Sequence, residues 1–138
     1  MCGIAAILWP AAEDTPGDAK AAVLKLAGRC GIARRGPDSL DACVPAPRVA
    51  LAASVLTMRS SGDATQPATD ERGNALCWNG EWFQGGPAPD AADAPAVLAL
   101  LAEATAGAPD AETAAARAAD ALAARVRGPY ALAFYCAA

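Results

Sequence analysis

No histidine occurs anywhere in the 138 residues. The usual base for a cysteine nucleophile is therefore missing, and a Cys–His pair is excluded. The five cysteines (Cys2, Cys30, Cys43, Cys77 and Cys136) include no CxxC pair. Without histidine or paired thiols, no zinc or other metal site is expected. The odd cysteine count suits reduced thiols in a cytosol better than a disulfide framework. Aromatic residues make up only 5%, and much of the 54% hydrophobic content is alanine, so the core should be thin in large side chains. No apolar run reaches the ~20 residues of a membrane span. The apolar start "MCGIAAILWP" has no Lys or Arg before it, unlike a secretory signal. The net charge is −4, with no basic stripe of the kind that binds nucleic acid. Arg29, Arg34 and Arg35 form only a short local cluster. No glycine-rich phosphate loop is present, so no ATP chemistry and no cofactor are expected. These exclusions leave a soluble, cytoplasmic chain whose length suits one domain, residues 1–138.

The chain punctuates itself into short elements. Residues 2–9, "CGIAAILW", read as a buried strand, and "PAAEDTPGD" (10–18) is turn chemistry. From Ala19 to about Gly31 the spacing predicts a helix, with Val23, Leu26, Ala27 and Cys30 at i, i+3, i+4 and i+7. Gly36 and Pro37 of the RGPD stretch (35–38) stop it. Residues 48–58 read as a strand, 60–74 as a polar loop and 75–78 as a short strand. Asn79-Gly80 between apolar segments signals a tight hairpin turn. Residues 87–95 look like a surface loop, whose Asp93 is placed to cap a short helix carrying Val97, Leu98, Leu100 and Leu101. An alanine-rich helix over about 111–127 follows, with Ala118, Leu122 and Val126 as its stripe, then a final strand over 130–136. Helices are grouped rather than alternating with strands, which favours an α+β layered fold.

Cys2 is the residue with the most chemistry available. A thiol needs a base before it attacks, and without histidine the chain's own α-amine is the remaining candidate. That amine titrates near neutrality, at about 7.7–8.0 in model peptides, and exists only once Met1 is removed. Gly3 would let substrate approach the backbone closely. As a plain structural residue, Cys2 would be a small buried hydrophobe. Asn79 and Gly80 present an amide and a backbone N–H side by side, as an oxyanion hole requires. Glu81 and Asp93 offer carboxylates for a ligand ammonium. Arg35 and Asp38 flank a Gly-Pro turn and would otherwise be a solvated ion pair of little energetic weight.

The order of these signals is more specific than any one of them. N-terminal CGI, RGPD, Gln66-Pro67, Asn79-Gly80-Glu81, an Asp opening a leucine-rich helix and "GPYALAFY" (128–135) together resemble the glutaminase domain of class II (N-terminal nucleophile) glutamine amidotransferases. The RGPD spelling resembles the asparagine synthetase branch. The stretch "TQPATDERGNALCWNGEWF" (65–83) is similar to asparagine synthetase domain-containing proteins. The resemblance implies a four-layer α/β/β/α N-terminal nucleophile hydrolase sandwich that hydrolyses L-glutamine to glutamate and ammonia. It implies Cys2 as nucleophile, Asn79 and Gly80 as oxyanion hole, and Glu81 and Asp93 as holders of the substrate α-ammonium. Two departures accompany it. The family's carboxylate-gripping Arg, in a stretch like "LAHERLSI", aligns with Val55, while Arg59 lies about 13 Å further along at strand rise. A catalytically impaired relative that keeps the fold for binding or regulation is the alternative this raises. The family domain also continues with further strands and a synthetase domain that are absent from these residues. The sandwich is therefore expected to be incomplete at its C-terminal end, with a synthetase domain or partner chain supplied from elsewhere.

Overall fold

The computed structural model describes residues 2–58 and 65–137. Six strands and three helices follow in the order β1 (Gly3–Leu8), α1 (Ala19–Arg29), β2 (Ser39–Ala46), β3 (Val49–Val55), β4 (Ala68–Thr69), β5 (Ala75–Gly80), α2 (Asp93–Thr105), α3 (Ala111–Arg125) and β6 (Tyr130–Tyr135). They form two antiparallel sheets of three strands, ordered β1-β3-β2 and β4-β5-β6. The fold is α+β, as the grouping of elements implied.

Each strand sorts its residues by the two-residue period of the pleat. In the first sheet, Ala5, Ala42, Ala50 and Ala52 face α1 and pack on its Ala19, Val23 and Ala27. The opposite face carries Leu51 and Ala53, which meet Ala75 and Cys77 of the second sheet. On its far side the second sheet presents Leu76 and Trp78 to Val97, Leu98 and Leu101 of α2 and Leu122 of α3. Helix α1 thus covers one sheet, α2 and α3 cover the other, and the sheets face each other. β3 is sealed on both faces, which explains why "VALAAS" carries no polar residue before Ser54. The large side chains concentrate under α2 and α3, where each fully buried Val or Leu contributes about 1.5–3 kcal/mol.

Local chemistry fixes the helix ends. The Asp18 carboxylate accepts the Ala21 N–H at 2.8 Å at the start of α1, and the Asp110 carboxylate accepts the Thr113 N–H at 2.7 Å at the start of α3. The Thr113 backbone N–H also holds the Asp110 carboxyl below its ordinary pKa. Among the described residues, no helix is long and apolar enough to cross a membrane.

Several expectations need correction. The hairpin at Asn79-Gly80 does not form: β5 runs through both residues, which pair with Ala131 and Tyr130 of the distant β6. A tight turn requires the chain to fold straight back, whereas it runs on past Glu81, with the Phe83 N–H bonded to the Arg127 carbonyl, before it reaches α2. Asp93 does not cap its own helix; Ala92 holds that position and Asp93 begins the first turn. Cys30 lies exposed beyond the end of α1, not in its buried stripe. β2 escaped notice because Asp41 and Pro45 break its apolar pattern. As an edge strand it tolerates both, with Pro45 inside a register shift between Cys43 and Ala46. The polar loop holds the two-residue β4, and β3 ends at Val55 rather than 58. Arg59 lies outside the described residues, as does Met1.

Leu101 is fully buried between α2, α3 and the second sheet. Leu101→Ala should lower the unfolding free energy by about 2–5 kcal/mol in urea titration. A loss below about 1 kcal/mol would show that this core is not close-packed.

Candidate functional site

The gap between the sheets opens at one end, and the strand period decides what lines the opening. Ile4, Leu51, Ala53, Ala75 and Cys77 pack in the gap, and by the two-residue period Val55 of β3, Asn79 of β5 and Cys2, the residue just before β1, follow on the same side. There the last three border a cavity of ≈ 430 Å³ whose wall also includes Gly80, Glu81, Asp93, Gln66, Trp78 and Tyr130. All five residues singled out from the sequence, Cys2, Asn79, Gly80, Glu81 and Asp93, line this one cavity, and so does Val55.

The segment carrying Cys2 is pinned from both sides of one peptide unit. The Gly3 N–H donates to Ser54 Oγ at 3.0 Å, and Arg35 Nε donates to the Cys2 carbonyl at 3.3 Å. Ser54 is fully buried, and its hydroxyl donates to the Ile32 carbonyl at 2.8 Å. Gly3 is required by this packing rather than by substrate approach, since a Cβ there would collide with Ile32 and stand 2.9 Å from Ser54 Oγ. Gly36 of the RGPD turn is held likewise, with a Cβ 2.5 Å from the Val55 backbone. The Asp38 carboxylate accepts the Thr57 N–H at 2.6 Å. The RGPD turn therefore ties the N-terminus to the end of β3, a role its reading as a helix stop did not contain.

The antiparallel ladder aims the Gly80 N–H. Glu81 donates its N–H to the Pro129 carbonyl, toward β6. Successive residues on a strand point their N–H groups to opposite edges, so Gly80 turns its own away from β6, to the edge where β4 has already ended. Gly80 has no room for a side chain because the stacked rings of Trp78 and Tyr130, with centroids 5.2 Å apart, lie over it. A Cβ would stand 2.5 Å from Tyr130 Cβ and 2.9 Å from Trp78 Cζ2.

Two carboxylates complete the wall. Asp93 is buried, and its Oδ2 accepts the Trp82 N–H at 3.0 Å, linking the first turn of α2 to the segment after β5. That bond spans 11 residues, a separation that local capping rules do not read. Glu81 lies half-buried beside Gly80. Gln66 is a lining residue that sequence reasoning recorded only as half of a Gln-Pro motif. Its Oε1 accepts the Trp78 N–H at 2.6 Å, taking the place of a β4 carbonyl beyond the strand's end.

Burial pushes the Cys77 thiol up to about 12, and burial also raises Cys43, with a further push from Asp41. Alkylation of the native protein at pH 8 should modify exposed Cys30 and leave Cys77 untouched until denaturant is added, as read by peptide mass mapping. Labelling of Cys77 at the rate of Cys30 would mean that the inter-sheet core opens readily.

Over 88 residues, 62% of its length, the chain is 36% identical to asparagine synthetase domain-containing protein 1 of Bos taurus. The chain spans 13% of that relative. This similarity supports a relationship to an asparagine-synthetase-related family. No protein-family model matches the chain. No solved structure matches it either.

Proposed function

We propose that this chain is a glutaminase domain of the class II glutamine amidotransferase type, built on an N-terminal nucleophile hydrolase sandwich. Its reaction is hydrolysis of the glutamine side-chain amide to glutamate and ammonia, supplying an asparagine-synthetase-like amide transfer in the cytoplasm. A synthetase domain or partner chain outside these residues would use the ammonia. The observation that carries this reading is the shared cavity. Cys2, Asn79, Gly80, Glu81 and Asp93 come from the residue just before β1, from β5, from the segment after it and from α2, yet all border one space.

The chemistry follows from the residue types. Removal of Met1 gives Cys2 a free α-amine, which takes the Sγ proton as the sulfur attacks the amide carbon. The new oxyanion is met by the Gly80 N–H and the Asn79 side-chain amide. Collapse of the tetrahedral intermediate breaks the C–N bond, and the protonated amine returns its proton to the departing ammonia. Water then repeats the sequence on the thioester to release glutamate. Glu81 and Asp93 hold the substrate α-ammonium, a charge-assisted role suited to paired carboxylates. Val55 supplies no guanidinium to the substrate carboxylate, so the Michaelis constant for glutamine should be high.

The first test is an intact mass after incubation with an electrophilic glutamine analogue. The expected result is a protein lacking Met1 and carrying one adduct, with no adduct on Cys2→Ala. An adduct that persists on Cys2→Ala, or retention of Met1, would overturn the proposal. Val55→Arg should then lower the Michaelis constant for glutamine by about tenfold or more, the scale of one regained charge-assisted contact. An unchanged constant in a folded variant would count against Val55 as the cause of weak binding.

A further inference from the structure

Gln66 is buried, 6% exposed, and its two amide ends have different fates. The Trp78 N–H requires an acceptor, so the atom 2.6 Å from it is the carbonyl oxygen and not the nitrogen. The Nε2 group therefore points elsewhere. It makes no hydrogen bond among the described residues, yet it is not sealed away, since the one buried side-chain atom without a partner there is Thr15 Oγ1. The space Gln66 borders is the ≈ 430 Å³ cavity. A buried amide on the cavity wall thus spends its oxygen on the scaffold and keeps two N–H donors unused among the described residues.

Its place relative to the oxyanion donor is set by the same ladder. The Trp78 and Gly80 N–H groups leave the same edge of β5, two residues and about 7 Å apart. Gln66 sits on that edge at Trp78. A five-carbon amino-acid amide with its side-chain oxygen at Gly80 has the length to bring its α-carboxylate to Gln66.

We propose that Gln66 is a specificity-determining residue that contacts the ligand, donating from Nε2 to the α-carboxylate of an α-amino-acid amide. This rests on the reading of the cavity as a glutamine site. An uncharged donor does not demand a negative charge as a guanidinium does. The site should therefore accept α-carboxyl-amidated glutamine alongside glutamine itself.

Gln66→Glu tests the assignment, because it keeps an acceptor for the Trp78 N–H and replaces the donor with a like charge. Binding of L-glutamine and of glutamine α-amide is measured by calorimetry at pH 8, in a Cys2→Ala background that cannot turn either over. Gln66→Glu should weaken L-glutamine by tenfold or more and the α-amide by less than about threefold. Gln66→Met removes the donor without adding charge and should weaken glutamine in the same sense, with thermal melting confirming that each variant is folded. Equal weakening of both ligands, no weakening of either, or no binding of either ligand to the Cys2→Ala protein would each overturn the assignment. Glutamate release by the unsubstituted protein is read separately. Discrimination between the ligands without release would sink the hydrolytic reading and leave Gln66 standing; release with equal weakening would do the reverse.

Discussion

The face-to-face packing of two three-stranded sheets is the constraint on which the rest of the molecule depends. The facing sides are filled by small and medium residues, Ala53, Ala75, Cys77 and Leu51, with Ile4 and Val49 beside them. A two-residue period then forces every second residue of β1, β3 and β5 into the same gap. Cys2, Val55 and Asn79 are the last such residues before the gap opens, so the core that joins the sheets also delivers the side chains of the site. Displacing any one of these strands by a single residue would turn its site residue out of the gap.

Polar groups buried around that gap are committed to holding segments together. Ser54 joins the start of β1 to the turn after α1, and Asp93 joins α2 to the Trp82 backbone. Gln66 completes the β5 edge. Asn74 accepts the Ala137 N–H at 2.9 Å while its own amide donates to Asp70 at 2.7 Å. A buried polar group left unpaired costs roughly 1–3 kcal/mol, so each pair strongly disfavours alternative arrangements of its segment. An alanine-rich core gives little shape specificity, and these directional bonds supply some of it. The same bonds fix the backbone around the cavity that Gly80 and Gln66 border.

How much was legible in the sequence varied with the range of the interaction. Helix α3 was readable in place from its alanine-rich run and Leu122, because helical periodicity is local, although Val126 falls just past its end at Arg125 and Ala114 joins its buried face. The strand at 75 was readable in place but not in length. Asn79-Gly80 satisfies the local rule for a hairpin, and the pairing with β6, some fifty residues away, overrides it. β2 was invisible because an edge strand need not alternate cleanly. Asp93 was recognised as a candidate acid, but its anchoring bond to Trp82 was not, and the Gln66 bond to Trp78 had no signature beyond the Gln-Pro pair.

The sequence by itself determined the identities of the groups: a cysteine with only an amine for a base, an Asn-Gly pair, two carboxylates, and a valine where its resemblance implied an arginine. It also determined where the three helices run, since helical periodicity is written within a dozen residues, though not the cap of α2. Only the tertiary structure decided that residues 2, 55, 66, 79 and 93 meet at one cavity. That meeting depends on strand register and on the stacking of two sheets, and those are set by contacts between segments tens of residues apart, which no local pattern encodes.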